Sequence, residues 1–270
     1  MNKRNIILFI PGIVLLAFAL LAIIPFVLMI LTSFTDKTAI DFAFDFSKFQ
    51  INNYIRIFRN LNLGRNLFNS MVVTLCACTL NGIISSMAAF GFAKKNFPGR
   101  EKLFLLYLAT MMIPGQVTLI PVFIMIRGTG LMNTYPALFL PVINAFGVFL
   151  IRQFMFNLPN ELLESAKIDG ASEPVLFTRI ALPLIQPVLI SLTIFTFISV
   201  WNDFLWPLVV SSKPEMHTLT LAVSVLRNSY QSNYGLVMAG STLAFMPPFI
   251  LYLILQKQFV EGIALSGIKG

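Results

Sequence analysis

Residues 6–31 read IILFIPGIVLLAFALLAIIPFVLMIL, a run without a single charged side chain. A helix crosses the hydrocarbon core of a bilayer with about 20 apolar residues, and this run exceeds that length. It follows Lys3-Arg4, as the start of a secretory signal does, but its apolar part is much longer than the about 7–15 residues such signals use. No small-x-small cleavage pattern comes after it; the chain continues Thr32-Ser33-Phe34-Thr35. The run therefore reads as a retained N-terminal anchor helix, 6–31. Pro11 falls in its first turns and Pro25 in its last third, which predicts a bend near Pro25.

The rest of the chain has the same character. Of 270 residues, 57% are hydrophobic and only 11% charged, against about 45–50% and about 25% in a soluble domain. Mean hydropathy is +0.83. Six spans would use about 120 positions at that length per span, leaving the remainder for connections. Soluble, disulfide-stapled and disordered classes are excluded. The expected fold is all-α: a polytopic membrane protein of about six transmembrane helices in one transmembrane domain over 1–270.

Five further spans follow from the hydrophobic runs after a connection over Thr32–Asn66, within which Tyr54–Phe58 suits a short interfacial helix. The second span, Leu67–Phe92, is rich in Ala, Gly and Ser, which lets a neighbouring helix approach closely. The third, Leu103–Ile126, carries Pro114-Gly115 and Pro121; the fourth, Pro136–Phe156, carries Pro141, Asn144 and Gly147. Backbone groups freed by such breaks need protein or a water-lined path, a transporter-like feature. The fifth span runs from Leu182 to Val210, and a sixth from Leu236 to Phe259, where Pro247-Pro248 should distort the helix. The core spans thus occupy about 67–259.

Basic residues set the orientation. With the N-terminus inside, the inner side holds Lys3, Arg4, Lys94, Lys95, Arg100, Lys102, Arg152, Lys167, Arg179, Lys257 and Lys269. The short outer turn after the third span then has only Arg127, and the outer connection before the sixth has Lys213 and Arg227. The long first connection runs against the bias with Lys37, Lys48, Arg56, Arg59 and Arg65, partly offset by Asp36, Asp41 and Asp45. Both termini are expected to be cytoplasmic. The net charge of +8 belongs to these flanks and to anionic membrane lipid, and does not indicate nucleic acid. Cys76 and Cys78 lack a second pair for a thiolate metal site, and His217 stands alone, so neither metal nor catalytic constellation is read.

Between the fourth and fifth spans lies a polar stretch, 157–180, containing ESAKIDGAS over 164–172. Asn160 is suited to cap a short helix and Gly170 to end it with positive φ. Ser172, before Glu173-Pro174, is suited to cap a second helix through Arg179. Leu162, Leu163, Ala166 and Ile168 give the first helix an apolar side; Phe177 and Ile180 give one to the second. A platform this short is unstable alone in water, so its own bundle or a partner groove must hold it.

Glu164-Ser165-Ala166, then Gly170, Ile180 and Leu182-Pro183, closely resembles the cytoplasmic signature loop of permease subunits in bacterial binding-protein-dependent ABC importers: Glu-Ala-Ala, three residues, Gly, nine residues, Ile, x, Leu-Pro. Ser165 replaces the first Ala. Trp201-Asn202-Asp203-Phe204-Leu205-Trp206-Pro207 is similar to the Trp-Asn-Glu-Phe-Leu-Trp-Pro stretch of the maltose-type sugar permeases, with Asp203 for Glu. The tail from Gln256-Lys257-Gln258-Phe259-Val260 to Gly267-Ile268-Lys269-Gly270 is similar to theirs as well.

The resemblance implies half of a translocation path in the bacterial inner membrane for a carbohydrate or polyol. It implies a second homologous permease subunit, two copies of a cytoplasmic ATP-binding subunit and an extracytoplasmic solute-binding protein. It also implies a coupling loop at 157–180, with Glu164, Ala166, Asp169, Gly170, Ala171 and Phe177 as the residues engaging the ATPase. ATP and Mg would sit on that partner and no cofactor on this chain; independently, the sequence has no Gly-rich loop ending in Gly-Lys-Ser/Thr. The alternative from a different class is an ion-coupled secondary transporter, but Asp203 is the only acidic residue within a span, where such carriers use several. Asn144, Trp201, Asn202 and Asp203 are candidates to line the path, against plainer readings as interfacial belt and helix–helix bonding.

Overall fold

A computed structural model describes residues 3–36, 47, 49–60, 62–230 and 233–267. Lys37, Asp41, Asp45 and Lys48 of the first connection, and the closing Ile268-Lys269-Gly270, lie outside the described residues. The described chain is helical and contains no strand. In order the helices are α1 (Lys3–Ser33), α2 (Asn52–Asn60), α3 (Leu63–Lys94), α4 (Arg100–Ala109), α5 (Gly115–Gly128), α6 (Tyr135–Phe139), α7 (Ala145–Phe156) and α8 (Glu161–Ile168). They continue as α9 (Glu173–Val175), α10 (Leu182–Leu184), α11 (Gln186–Trp201), α12 (Leu205–Val210), α13 (Leu219–Ser229) and α14 (Tyr234–Gly267).

Three of these helices are long and apolar enough to cross a membrane unbroken: Pro11–Ser33 in α1, Leu63–Lys94 and Tyr234–Gln256 in α14. Three bent pairs are long and apolar enough when their two helices are taken together. Arg100–Met112 meets Gly115–Gly128 at 101°, Tyr135–Val142 meets Ala145–Phe156 at 46°, and Glu173–Leu184 meets Gln186–Trp201 at 76°. The first break follows from Pro114, which forces Ile113 before it into the extended region (ψ 115). The second lies at Ile143 and Asn144, both extended, and the Asn144 side chain restarts the helix by accepting from the Gly147 N–H at 3.3 Å. Prolines elsewhere do not interrupt. α1 stays helical through Pro11 and Pro25, and α14 stays helical through Pro247-Pro248. In lipid a broken helix leaves backbone groups without partners, which favours keeping the ladder on either side of a proline.

The chain divides into two compact units, Met1–Arg65 with Ala222–Pro247, and Asn66–Leu221 with Pro248–Gly270. In the first, buried Asn53 closes the end of α1, its Nδ2 donating to the carbonyls of Ser33 (3.0 Å) and Thr35 (2.9 Å). Phe34 lies between the rings of Phe49 and Tyr54, and Phe26 meets Phe245 at 4.7 Å. Gly235 sits so close that a Cβ there would collide with the Thr35 carbonyl.

In the second unit, the buried positions of α3 recur every three or four residues: Asn66, Asn69, Ser70, Val73, Thr74, Ala77, Cys78, Asn81, Ser85, Ser86, Ala89, Phe90 and Ala93. This stripe is small and polar, while Phe68, Leu75, Ile83 and Met87 point outward. The helix is inverted relative to a soluble one, as a lipid-facing helix should be. Asn81 Nδ2 donates to Thr196 Oγ1 of α11 at 2.9 Å and its Oδ1 accepts from Ser85. Gly147 of α7 packs where a Cβ would stand 2.5 Å from Ser85 Oγ. A main apolar cluster joins Ala89, Val148, Ile151, Met155, Leu176, Ile185 and Leu192.

Candidate functional site

The 157–180 segment is built from the chain's polar residues but held by apolar ones. α8 ends in a full glycine cap: Gly170 has φ +82, its N–H bonds the Lys167 carbonyl at 3.0 Å, and the Ala171 N–H reaches the Ala166 carbonyl at 2.9 Å. The positive φ is as the sequence suggests. The side-chain caps are not: neither Asn160 nor Ser172 caps its helix. The Asn160 Oδ1 is instead taken by Lys94 Nζ at 2.8 Å. The second helix does not stop at Arg179 but runs on to Leu184, widened into a π-turn over Leu176–Ala181. A proline crowds the carbonyl four residues back, and the wide turn gives Pro183 that room.

The six residues expected to engage a partner fall into two groups. Ala166, Ala171 and Phe177 pack against the main apolar cluster, with the Phe177 ring 5.4 Å from Phe90 of α3. Glu164, Asp169 and Gly170 are exposed. The apolar side assigned to α8 is also divided. Leu163 and Ala166 face the core, but Leu162 is 44% and Ile168 87% exposed. Ile168 therefore stands beside Gly170 on an outward surface formed by Glu164, Asp169 and the glycine.

Two lysines at the end of α3, legible only as a basic flank, grip this segment. Lys94 Nζ donates to the Leu158 carbonyl (2.7 Å) as well as to Asn160, at the entry to α8. Lys95 pairs with Glu173 at the entry to α9 and lies 4.9 Å over the Phe90 ring. Lys167 reaches the other Glu173 oxygen at 3.5 Å. Nearby Arg152, counted from sequence among the flanking charges, is buried. Its Nη2 donates to both Glu101 oxygens at 2.8 Å, and its guanidinium stacks on Phe104 (3.7 Å) and Phe156 (4.5 Å). It locks the start of α4 to the end of α7.

The path candidates do not form one cluster. Asn144 is exposed and lines a cavity of about 400 Å³ with Tyr107, Thr110, Ile113, Ile143 and Phe146. Both helix breaks, at 113 and at 143–144, open onto that cavity. Trp201 is 1% exposed, stacked on Phe197 at 5.5 Å. Asn202 is exposed, its Nδ2 on the Ile198 carbonyl at 2.9 Å. Asp203 accepts from the Trp206 N–H at 3.3 Å and so starts α12. No group of three or more His, Cys, Asp or Glu fit to hold a metal occurs among the described residues.

Residues 81–264 match the model of the family described as binding-protein-dependent transport system inner membrane component. The chain is 37% identical over 259 residues to the arabinooligosaccharides transport system permease protein AraQ of Halalkalibacterium halodurans, covering 93% of each. It is 33% identical over 246 residues to the lactose transport system permease protein LacG of Rhizobium radiobacter, covering 90% of each. In structure it is similar to a chain in the crystal structure of a bacterial ABC transporter involved in import of the acidic polysaccharide alginate. The TM-score is 0.83 at 22% identity, over 96% of this chain and 99% of that one.

Proposed function

This chain belongs to the family of binding-protein-dependent transport system inner membrane components, and from that premise we propose that it forms half of a translocation path for a carbohydrate or related polyol. A second homologous permease completes the path, and an extracytoplasmic solute-binding protein delivers the solute. Two copies of a cytoplasmic ATP-binding subunit bind ATP and Mg and drive the cycle; this chain hydrolyses nothing itself. Support for a carbohydrate comes from the relatives' names, which specify arabinooligosaccharides and lactose. They extend beyond the maltose-type sugars that the Trp201–Pro207 stretch resembles.

The observation that carries the coupling role is the outward surface of 157–180. Ile168, 87% exposed, stands beside a glycine with positive φ at the end of a loop whose other side is fixed to the core. An apolar side chain presented this way on a polar segment fits a groove on a soluble partner. Glu164, Asp169 and Gly170 meet the ATPase; Ala166, Ala171 and Phe177 hold the loop in place. Of the path candidates, Asn144 is the one we assign to solute, because a cavity served by two helix breaks offers backbone and amide groups for hydroxyls. Trp201 acts behind the wall as packing.

Two measurements test this reading. The complex with its ATPase and binding protein should hydrolyse ATP faster when a cognate sugar from a panel is added, whereas this chain reconstituted alone should neither hydrolyse ATP nor accumulate sugar. Uphill uptake by the lone chain refutes the assignment. For orientation, single cysteines are placed in a background lacking Cys76 and Cys78. A membrane-impermeant thiol reagent outside should label Glu215→Cys and miss Asp169→Cys. Labelling of Asp169→Cys from outside reverses the topology and removes the coupling role.

A further inference from the structure

α3 is the one helix of the second unit's described residues that crosses unbroken; each neighbouring span is bent, by 101°, 46° or 76°. Both of its ends are fastened to loops. At the start, Asn66 Nδ2 donates to the carbonyls of Pro214 (3.3 Å) and His217 (2.9 Å). Asn69 Nδ2 donates to those of Glu215 (2.8 Å) and His217 (2.9 Å), and Ser70 Oγ accepts from the Leu219 N–H at 2.7 Å. The Tyr135 hydroxyl meets Asn69 Oδ1 at 2.8 Å. The three side chains are buried, at 5%, 0% and 2% exposure, and apart from the Tyr135 hydroxyl the groups they hold are main chain. At the far end, Lys94 and Lys95 hold the two short helices of 157–180 at their entries, through Leu158 and Asn160 and through Glu173.

We propose that α3 is a rigid rod tying the 214–219 loop to the 157–180 loop. Asn66, Asn69 and Ser70 are its fixings at one end, and Lys94 and Lys95 at the other. The proposal rests on the coupling reading of 157–180. From Asn66 to Lys94 the rod is about 40 Å long at 1.5 Å per residue. An unbroken helix transmits a push along its axis, whereas a helix bent at an extended residue takes up displacement at the bend. The rod's middle is keyed to its neighbours by Asn81 on Thr196 and by Ser85 against Gly147. Movement of either loop is therefore carried past the cavity lined by Asn144. Linkage makes the coupling reciprocal: what docks on one loop changes what the other prefers.

The five residues are positioning residues, and their signature is non-additivity. Substitutions more than about 7–10 Å apart normally add, so coupling between the two ends of α3 has no ordinary source. Lys95→Met, Lys94→Met, Asn69→Leu and Ser70→Ala are compared with Lys95→Arg and with Asn228→Leu as control, in the full complex. The readouts are co-purification of the ATPase, binding-protein-stimulated ATP hydrolysis and sugar uptake per ATP. Each of Lys95→Met and Ser70→Ala should lower uptake per ATP at least fivefold while the ATPase still co-purifies, and Lys95→Arg should recover at least half. The double variant should be no worse than the worse single. Ser70→Ala carries the test if Asn69→Leu fails to fold. Effects that multiply, or Lys→Met variants with wild-type uptake per ATP, overturn the rod and leave the coupling loop standing. If instead Gly170→Leu, run in parallel, has no effect on docking or transport, the loop reading fails and the rod fails with it.

Discussion

An alanine at Gly235 is expected to remove most of the folded protein from detergent extracts, and to lower the melting temperature of what remains by more than any other single methyl added to a described glycine. The added Cβ would overlap the Thr35 carbonyl oxygen and stand 2.7 Å from Asn53 Nδ2. That carbonyl cannot step aside freely. It accepts from Asn53 at 2.9 Å, and Thr35 is itself bonded to the Thr32 carbonyl through its N–H and its hydroxyl. Overpacking costs about 1–3 kcal/mol, and freeing the buried Asn53 amide from a partner costs about 1–3 kcal/mol more. Against a total stability of about 5–15 kcal/mol, that sum decides whether the fold survives. Gly82→Ala, with nothing within 4 Å of its new Cβ, serves as control and should be neutral or slightly stabilising. Size-exclusion profiles after graded heating measure both. A Gly235→Ala protein melting within about 2 °C of wild type would contradict the packing described.

Gly170→Leu should abolish transport while lowering the melting temperature of the isolated chain by no more than about 2–8 °C. A Cβ at this position meets no atom within 4 Å, so the chain itself offers no clash. What remains is the left-handed backbone, φ +82, which adds about 1–2 kcal/mol of strain for any side chain. Gly170→Ala isolates that term and should reduce ATPase co-purification by about 5- to 30-fold at most. Leucine adds bulk on the outward surface beside Ile168, where the partner is proposed to seat. The step from alanine to leucine thus measures the contact rather than the strain, and at least a further tenfold loss of stimulated ATP hydrolysis is expected. If alanine and leucine behave alike, strain alone explains the position and the surface is not the contact.

How much of this was legible in the sequence depends on the range of the interaction concerned. The spans show as apolar runs because lipid reads composition, and the positive φ of Gly170 shows because glycine alone takes it without strain. The break at Pro114 is local chemistry and also legible. The break at Ile185 is less so: it lies between Pro183 and Pro187, and while Pro187 opens the next helix, Pro183 does not end the one before. Asn160 was misread as a cap because its competitor, Lys94, lies far away in sequence and arrives only in the folded chain. Arg152 looked like one more flanking charge until Glu101, Phe104 and Phe156 closed around it. For Ile168, helical spacing predicts burial in this chain, and only the fold shows which way the stripe faces. The path candidates fared unevenly for the same reason: Asn144 faces open space while Trp201 is sealed behind Phe197.

The inverted build of α3, small and polar inward with Phe68, Leu75, Ile83 and Met87 outward, has a calorimetric consequence. Soluble domains owe their domed stability curves to a heat-capacity increment of about 12–15 cal/mol/K per residue, which arises when hydrocarbon is wetted on unfolding. Separating helices built like α3 inside a bilayer moves those outward side chains from lipid to lipid and wets almost none of them. The increment for that step should be close to zero, so the free energy of helix separation should vary nearly linearly with temperature. Cold should then loosen the water-exposed loops of this protein, by weakening hydrophobic contact there, well before it loosens the bundle.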